Sequence, residues 1–207
     1  PDTHADSRAN PSAPVHARTP LGPNSLLHTL IFARRSGAHA AQRAAAMTMP
    51  APSTKQLAAE ERMIQGIINR EHGGGRRISE IKDELGTMMN QKCAVFRDQA
   101  GLTEALEIIQ RLKGEADSAY IDDRGTVFNQ DVLGATELGY MINCAGCIVT
   151  GALERKESRG AQFRLDFPER NDDEWLKHIN LSVNGGDAPK ITYSEVTMTQ
   201  WEPQERK

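Results

Sequence analysis

The chain has 207 residues, a formal net charge of −3 and a mean hydropathy of −0.55, which allows one ordinary domain plus a loosely organised segment. The near-neutral balance argues against a nucleic-acid binder, and no apolar run reaches the roughly 20 residues that cross a bilayer, so any membrane contact is expected through a partner. Three cysteines, Cys93, Cys144 and Cys147, do not make a disulfide scaffold and suit a reducing compartment.

Residues 1–14 mix Pro, Ala, Ser and Asp without period and are expected to be disordered. Acidic residues are absent between Ser7 and Ala59, a stretch that carries Arg18, Arg34, Arg35 and Arg43. It reads as a transit-peptide-like arm, as a degraded copy of a functional segment, or as a plain disordered tail. Asn24 or Ser25 can cap a helix through Leu26, Leu27, Leu30 and Ile31, with Gly37 as its stop. Residues 47–53 form a Pro-containing linker.

A second helix is predicted from Thr54 to about Glu71, with Ser53 and Gln56 as a capping box and Leu57, Ile64, Ile67 and Ile68 as its apolar stripe. Gly73, Gly74 and Gly75 break it. No strand precedes them and no Lys-Ser/Thr pair follows, so they read as a flexible linker and not as a phosphate loop. A third helix spans about Ile78 to Gln91. A short break at Val95 to Asp98 leads to a fourth, marked by Leu102, Ala105, Leu106, Ile109 and Leu112 and ending near Gly114. The fifth and longest runs from about Asn129 to Lys156, with Leu138, Met141, Ala145, Ile148, Ala152 and Leu153 expected to be buried. Gly160 suits a left-handed cap at its end.

Phe163 to Trp175 is charged and irregular. Ile179 to Val183 and Ile191 to Val196 then alternate around Asn184-Gly185-Gly186-Asp187, a hairpin signal. The fold class is therefore mainly α, an antiparallel helical bundle with a C-terminal β-hairpin.

Cys144-Ala145-Gly146-Cys147 has redox-motif spacing but lies inside a helix, where two buried small side chains are the simpler reading. His16, His28, His39, His72 and His178 show no metal-ligand spacing, and no metal site is expected. Asp166, Glu169, Asp172, Asp173 and Glu174 can pair with Arg164 and Arg170. Such pairing reads as a surface salt-bridge network that fixes an irregular segment, or as a docking surface.

Several segments together resemble a known family. Glu154-Arg155-Lys156-Glu157-Ser158-Arg159-Gly160-Ala161-Gln162-Phe163-Arg164, continued by Asp166-Phe167-Pro168-Glu169-Arg170-Asn171-Asp172-Asp173-Glu174-Trp175-Leu176-Lys177-His178, resembles the ESRGAHxRxDxPxRDDxxWLKH signature of the flavoprotein subunit of succinate dehydrogenase and fumarate reductase. L-aspartate oxidase shares only its ESRG part. Met89 to Asp98 resembles the family's MQxxxGVFRD segment, Val127 to Leu133 its VFNxDLL helix start, and Val196 to Lys207 its VTMTxWxPxERK ending.

Upstream, Val15 to Leu27 resembles VHGANRLGxNSLL, which closes the family's FAD-binding domain. Its Ser-Leu pair, Ser25 and Leu26 here, is implied to contact FAD. Its substrate-binding Arg falls on Pro20, which can supply neither charge nor donor, so no catalytic residue is expected in this chain. The family's RGAH His is Gln162.

The resemblance implies residues 15–46 as a remnant of the end of the FAD-binding domain and 54–207 as the C-terminal helical domain with its hairpin tail. The degraded-copy reading of the acid-free stretch fits it best. The implied activity is oxidoreduction of succinate and fumarate by hydride transfer to FAD, with electrons passed to an iron-sulfur subunit and membrane-anchor subunits. The implied location is cytoplasmic, peripheral on the inner membrane face, and the chain alone is expected to hold no FAD and to be inactive. The alternative is a non-catalytic helical module that docks on an iron-sulfur subunit or a separate flavin domain.

Overall fold

Capping residues decide where most of the helices begin. The computed structural model describes residues 24–49, 51–183 and 188–198; the expected disordered start and Pro20 lie outside the described residues. Helix α1 spans Asn24–Ala46 and α2 spans Thr54–Ile68, where Ser53 Oγ accepts from the Gln56 backbone N–H at 3.3 Å. Helix α3 is Ile78–Lys92, strand β1 Phe96–Arg97 and α4 Gln99–Ser118, capped by Asp98, which accepts from the Gly101 N–H at 2.7 Å. Helix α5 is Gln130–Glu154, capped by Asn129, which accepts from the Val132 N–H at 2.9 Å. Strand β2 (Phe163–Arg164), α6 (Asp172–Trp175), β3 (Lys177–Ser182) and β4 (Lys190–Glu195) complete the described elements. Each such cap contributes about 1 kcal/mol.

The core lies between α3, α4 and α5. Ile81, Leu85 and Met88 of α3 meet Leu102, Ala105, Ile109 and Leu112 of α4, and Leu138, Ile142, Ala145, Val149 and Ala152 of α5. Helices α3 and α4, and α4 and α5, are packing neighbours joined by the chain, while α2 packs on α5. Strands β3 and β4 pair antiparallel, with Leu181 opposite Ile191 and Ile179 opposite Tyr193, and Leu181 lies over Gly151 of α5. The mainly α bundle with its hairpin is the architecture expected from the sequence.

Several local expectations differ. Helix α1 does not stop at Gly37. Nothing lies within 4 Å of a Cβ placed there, so glycine costs only its helix propensity, and the Ala-rich stretch to Ala46 outweighs it. Helix α4 likewise runs past Gly114 to Ser118, while α2 stops early, at Ile68. The triple glycine is not merely a linker. A Cβ on Gly75 would sit 2.2 Å from the Ser118 carbonyl oxygen, and Gly74 has φ +93°. Tyr120 N–H donates to the Arg76 carbonyl at 3.1 Å, which pins this turn to the end of α4.

Helix α5 ends at Glu154, before Lys156, and Gly160 (φ +66°) serves a separate turn between Arg159 and Gln162. Within α5 the buried stripe runs through Ile142 and Val149; Ile148 is exposed and Met141 only half-buried. Helix α5 is also long and apolar enough to cross a membrane by length and composition, contrary to the sequence expectation. In this chain one side of it forms the bundle core.

Candidate functional site

The 154–178 signature folds into a clasp at the C-terminal end of α5. Arg164 is fully buried. Its Nη1 donates to the carbonyls of Ala152, Leu153 and Arg155 at 2.8, 3.2 and 3.0 Å. A cation on the last carbonyls of a helix satisfies orphan acceptors at the negative end of its dipole. This capping explains why the helix stops where it does. The same guanidinium is bidentate to Asp166, both bonds 2.8 Å, and lies 5.0 Å over the Phe167 ring. Planar fork-to-fork pairing is the strong form of the ion pair.

Glu157 is the second hub, and it too is fully buried. It accepts from Arg155 Nη1 and Arg159 Nε, each at 2.5 Å, from Arg159 Nη2 at 2.8 Å and from the Asn171 N–H at 3.0 Å. Burial pushes its carboxyl upward, but the Arg159, Asn171 and Arg155 donors outweigh burial and hold it below the ordinary carboxylate range. Asp172 accepts from Arg170 and Arg159; the Arg170 hydrogen bond, with Arg159 opposing burial, lowers it to about 2. Arg155 also donates to the carbonyls of Trp175 (2.9 Å) and Lys177 (2.7 Å), tying the clasp to the start of the hairpin. Ser158 Oγ accepts from the Arg164 N–H and donates to the Phe167 carbonyl, both at 2.9 Å.

The network expected to lie on the surface is therefore centred on two groups without solvent access. Sequence reading paired Arg164 and Arg170 with the acidic run but missed Glu157. Its signal was the pattern Arg155-x-Glu157-x-Arg159, a carboxylate flanked on both sides by guanidinium groups.

A parallel bridge joins two of the family-like segments. Phe96 pairs with Phe163 and Arg97 with Arg164; Phe163 N–H donates to the Val95 carbonyl at 3.0 Å and Leu165 N–H to the Arg97 carbonyl at 2.8 Å. Arg97 Nη1 donates to Gln162 Oε1 at 3.1 Å, so the glutamine bridges both segments. The two Phe rings meet edge to face at 5.6 Å, on the outside. A shallow cavity of about 320 Å³ lies beside them, lined in part by Lys92, Arg97, Asp98 and Glu104. Lys92 pairs with Glu104 at 2.6 Å and Asp98 caps α4, so its charges are engaged within the chain.

The other sequence candidates do not converge here. Leu26 is exposed on the first turn of α1, and the side chain of Ser25 lies outside the described residues. Cys144 is exposed and Cys147 half-buried, so the pair is not the buried pair expected; Cys93 is the buried thiol. Among the described residues no group of three or more His, Cys, Asp or Glu could hold a metal. Arg155, Arg159 and Arg164 all direct donors to named protein partners. The clasp is built to hold backbone in place, and its saturated carboxylates are poor proton carriers.

Residues 82–207 match the family described as fumarate reductase flavoprotein C-term. The fumarate reductase flavoprotein subunit of Haemophilus influenzae is 39% identical over 199 residues, 94% of this chain and 33% of that protein. The succinate dehydrogenase flavoprotein subunit of Rickettsia conorii is 32% identical over 89% of this chain and 31% of its own length. A solved quinol-fumarate reductase with menaquinol molecules superposes with a TM-score of 0.81 at 32% identity, over 92% of this chain and 33% of that one. The chain thus spans about a third of the length of the curated relatives it matches. With the clasp and the bridge carried on segments in the family's order, the chain belongs to the fumarate reductase and succinate dehydrogenase flavoprotein family, to its C-terminal part.

Proposed function

We propose that the chain is the C-terminal portion of a flavoprotein subunit that interconverts succinate and fumarate by hydride transfer to FAD. Electrons then pass to an iron-sulfur subunit and through membrane-anchor subunits. Residues 15–46 belong on this reading to the end of the FAD-binding portion, 47–53 to a linker and 54–207 to the helical domain. The location is the cytoplasm, on the inner membrane face through partner subunits. The carrying observation is the β1–β2 bridge, which brings together the Met89–Asp98 and Glu154–His178 segments, distant in sequence and both family-like.

The residues present fit one edge of a flavin. Helix α1 has no acidic residue in its first turn, which suits a negative group at its positive end, and Leu26 is exposed. FAD, when bound, supplies the hydride acceptor. The work of this chain is to brace that edge from a bundle whose end is locked by Glu157 and Arg164. At the position of the family's substrate Arg it brings Pro20, with no guanidinium to hold a dicarboxylate.

The purified 207-residue chain is therefore expected to be colourless and to reduce no dye with succinate. A yellow protein that does so overturns the reading.

A second reading is favoured by the exposed apolar side of α5: a non-catalytic module that docks on an iron-sulfur subunit or a separate flavin domain. Retention on an immobilised iron-sulfur subunit tests it, and no retention above a mock column counts against it.

A further inference from the structure

Helix α1 contributes no residue to the core. From Thr29 to Met49 every residue is exposed except Phe32 and Ser36, which are half-buried. Leu30 is 73% exposed, and Met47 and Met49, just past the helix end, are 51% and 93% exposed. Helices in proteins draw most of their stability from a face packed out of water. A helix of 23 residues with no such face calls for something outside the bundle to cover it.

Its sides differ in chemistry. Leu30, Ala33, Ala40 and Ala44 recur at helical spacing along one side, and Met47 continues the line. Arg35, His39 and Arg43 stand at i, i+4 and i+8 on another. Arg34 lies at the far edge of the apolar line, so guanidinium groups border it on both sides. Long cationic side chains in such places lay their stems along apolar surroundings and lift the charge to a polar layer.

No acid offsets these arginines. Asp and Glu are absent from Ser7 to Ala59, although the whole chain carries a net charge of −3. The excess negative charge therefore lies outside the α1 segment. A negatively charged surface attracts α1 and repels the rest, which fixes an orientation as well as a contact.

Charge and apolarity together select the occupant. A second copy of α1 sets arginines against arginines. A nucleic acid answers the arginines but leaves Leu30, Met47 and Met49 in water. An anionic bilayer surface answers both, with phosphates for the guanidinium groups and an acyl boundary for the apolar line.

We propose that α1 from Leu30 onward, with Met47 and Met49, binds anionic lipid surfaces, lying in the headgroup layer with its apolar line inward. This face begins past Ser25 and Leu26, so it shares no residue with the flavin edge described above.

The test is cosedimentation of the 207-residue chain with vesicles of phosphatidylcholine alone or mixed in equal parts with phosphatidylglycerol. The chain is expected to sediment with the mixed vesicles, to stay in solution with the neutral ones, and to be released by added salt. Arg34→Glu with Arg35→Glu weakens binding by about tenfold or more. Leu30→Asp also weakens it, at low salt as well, because insertion and not charge alone holds the helix. Neither site touches the core, so both variants keep the wild-type urea midpoint and a loss of binding is not a loss of fold. Failure to sediment with the mixed vesicles overturns the proposal. So does equal binding to neutral vesicles, or binding that survives the arginine exchange. A chain that ignores vesicles but self-associates, and becomes monomeric with Leu30→Asp, assigns the apolar line to a second copy and overturns it too. None of these readouts involves flavin, so the flavoprotein reading stands or falls separately.

Discussion

Replacing Glu157 with glutamine keeps the shape of the side chain and removes its charge. The carboxylate is fully buried between Arg155 and Arg159, whose side chains are themselves only 13% and 8% exposed. Removing one member of a buried ion set costs about 3–5 kcal/mol, because the partners remain charged. Arg155 keeps the Trp175 and Lys177 carbonyls and Arg159 keeps Asp172, so the lower end, about 3 kcal/mol, is expected here. In a domain of this size that lowers Tm by about 6–12 °C. Urea titration of Glu157→Gln at pH 7 checks it, with an unchanged m-value marking the same cooperative unit. The pH dependence gives a second readout. The folded-state pKa of Glu157 is depressed, so its contribution is present above the unfolded value and lost as pH falls through the folded one. Wild type and variant therefore converge towards acid. A loss below about 1 kcal/mol, the range of an exposed pair, or curves that stay parallel into acid, would refute a buried hub at the end of α5.

Asp172→Asn tests the rim of the same clasp. With a folded value of about 2, Asp172 stabilises above its ordinary value of 3.8, and the contribution is lost as pH falls towards 2. Its side chain is 38% exposed, so solvent screening limits the effect to about 1 kcal/mol or less, read from the acid limb of a stability–pH curve. Gly75→Ala and Gly37→Ala should act in opposite directions. At Gly75 the new methyl meets the Ser118 carbonyl and destabilises by about 1–3 kcal/mol. At Gly37 it meets open space and strengthens α1 by up to about 1 kcal/mol, visible as added helicity. Equal signs for the two would contradict the packing described.

Helices were legible where one local signal sufficed. Ser53 before Thr54, read as a cap, does accept from an N–H three residues on; Asp98 before Gln99 and Asn129 before Gln130 do the same in the folded chain, although the sequence reading took the first only as part of a break and the second only as a helix start. Stops were harder to read. Gly37 looked like an end because glycine is a poor helix former, but the alanines after it decide the sum. The end of α5 depends on Arg164, ten residues beyond Glu154, whose guanidinium takes the last carbonyls. No window of sequence around residue 154 contains that information. The same holds for the bridge between Val95–Arg97 and Phe163–Leu165, where two Phe-Arg pairs meet across the bundle.

What the amino-acid order settled was class and kinship. Apolar spacing, capping residues and the Asn-Gly-Gly-Asp sequence signal, which itself lies outside the described residues, were enough for a helical bundle with a hairpin, because these signals act within a few residues. The family-like segments were enough for its relatives. What only packing decided was which charges leave water and which apolar residues stay in it. Glu157 and Arg164 read like the exposed acids and bases around them until the folded chain closes over both. Ile148 reads like core until α5 turns its other side to α3 and α4. Burial is a property of what lies opposite a side chain, and the residue opposite is set by contacts far away in sequence.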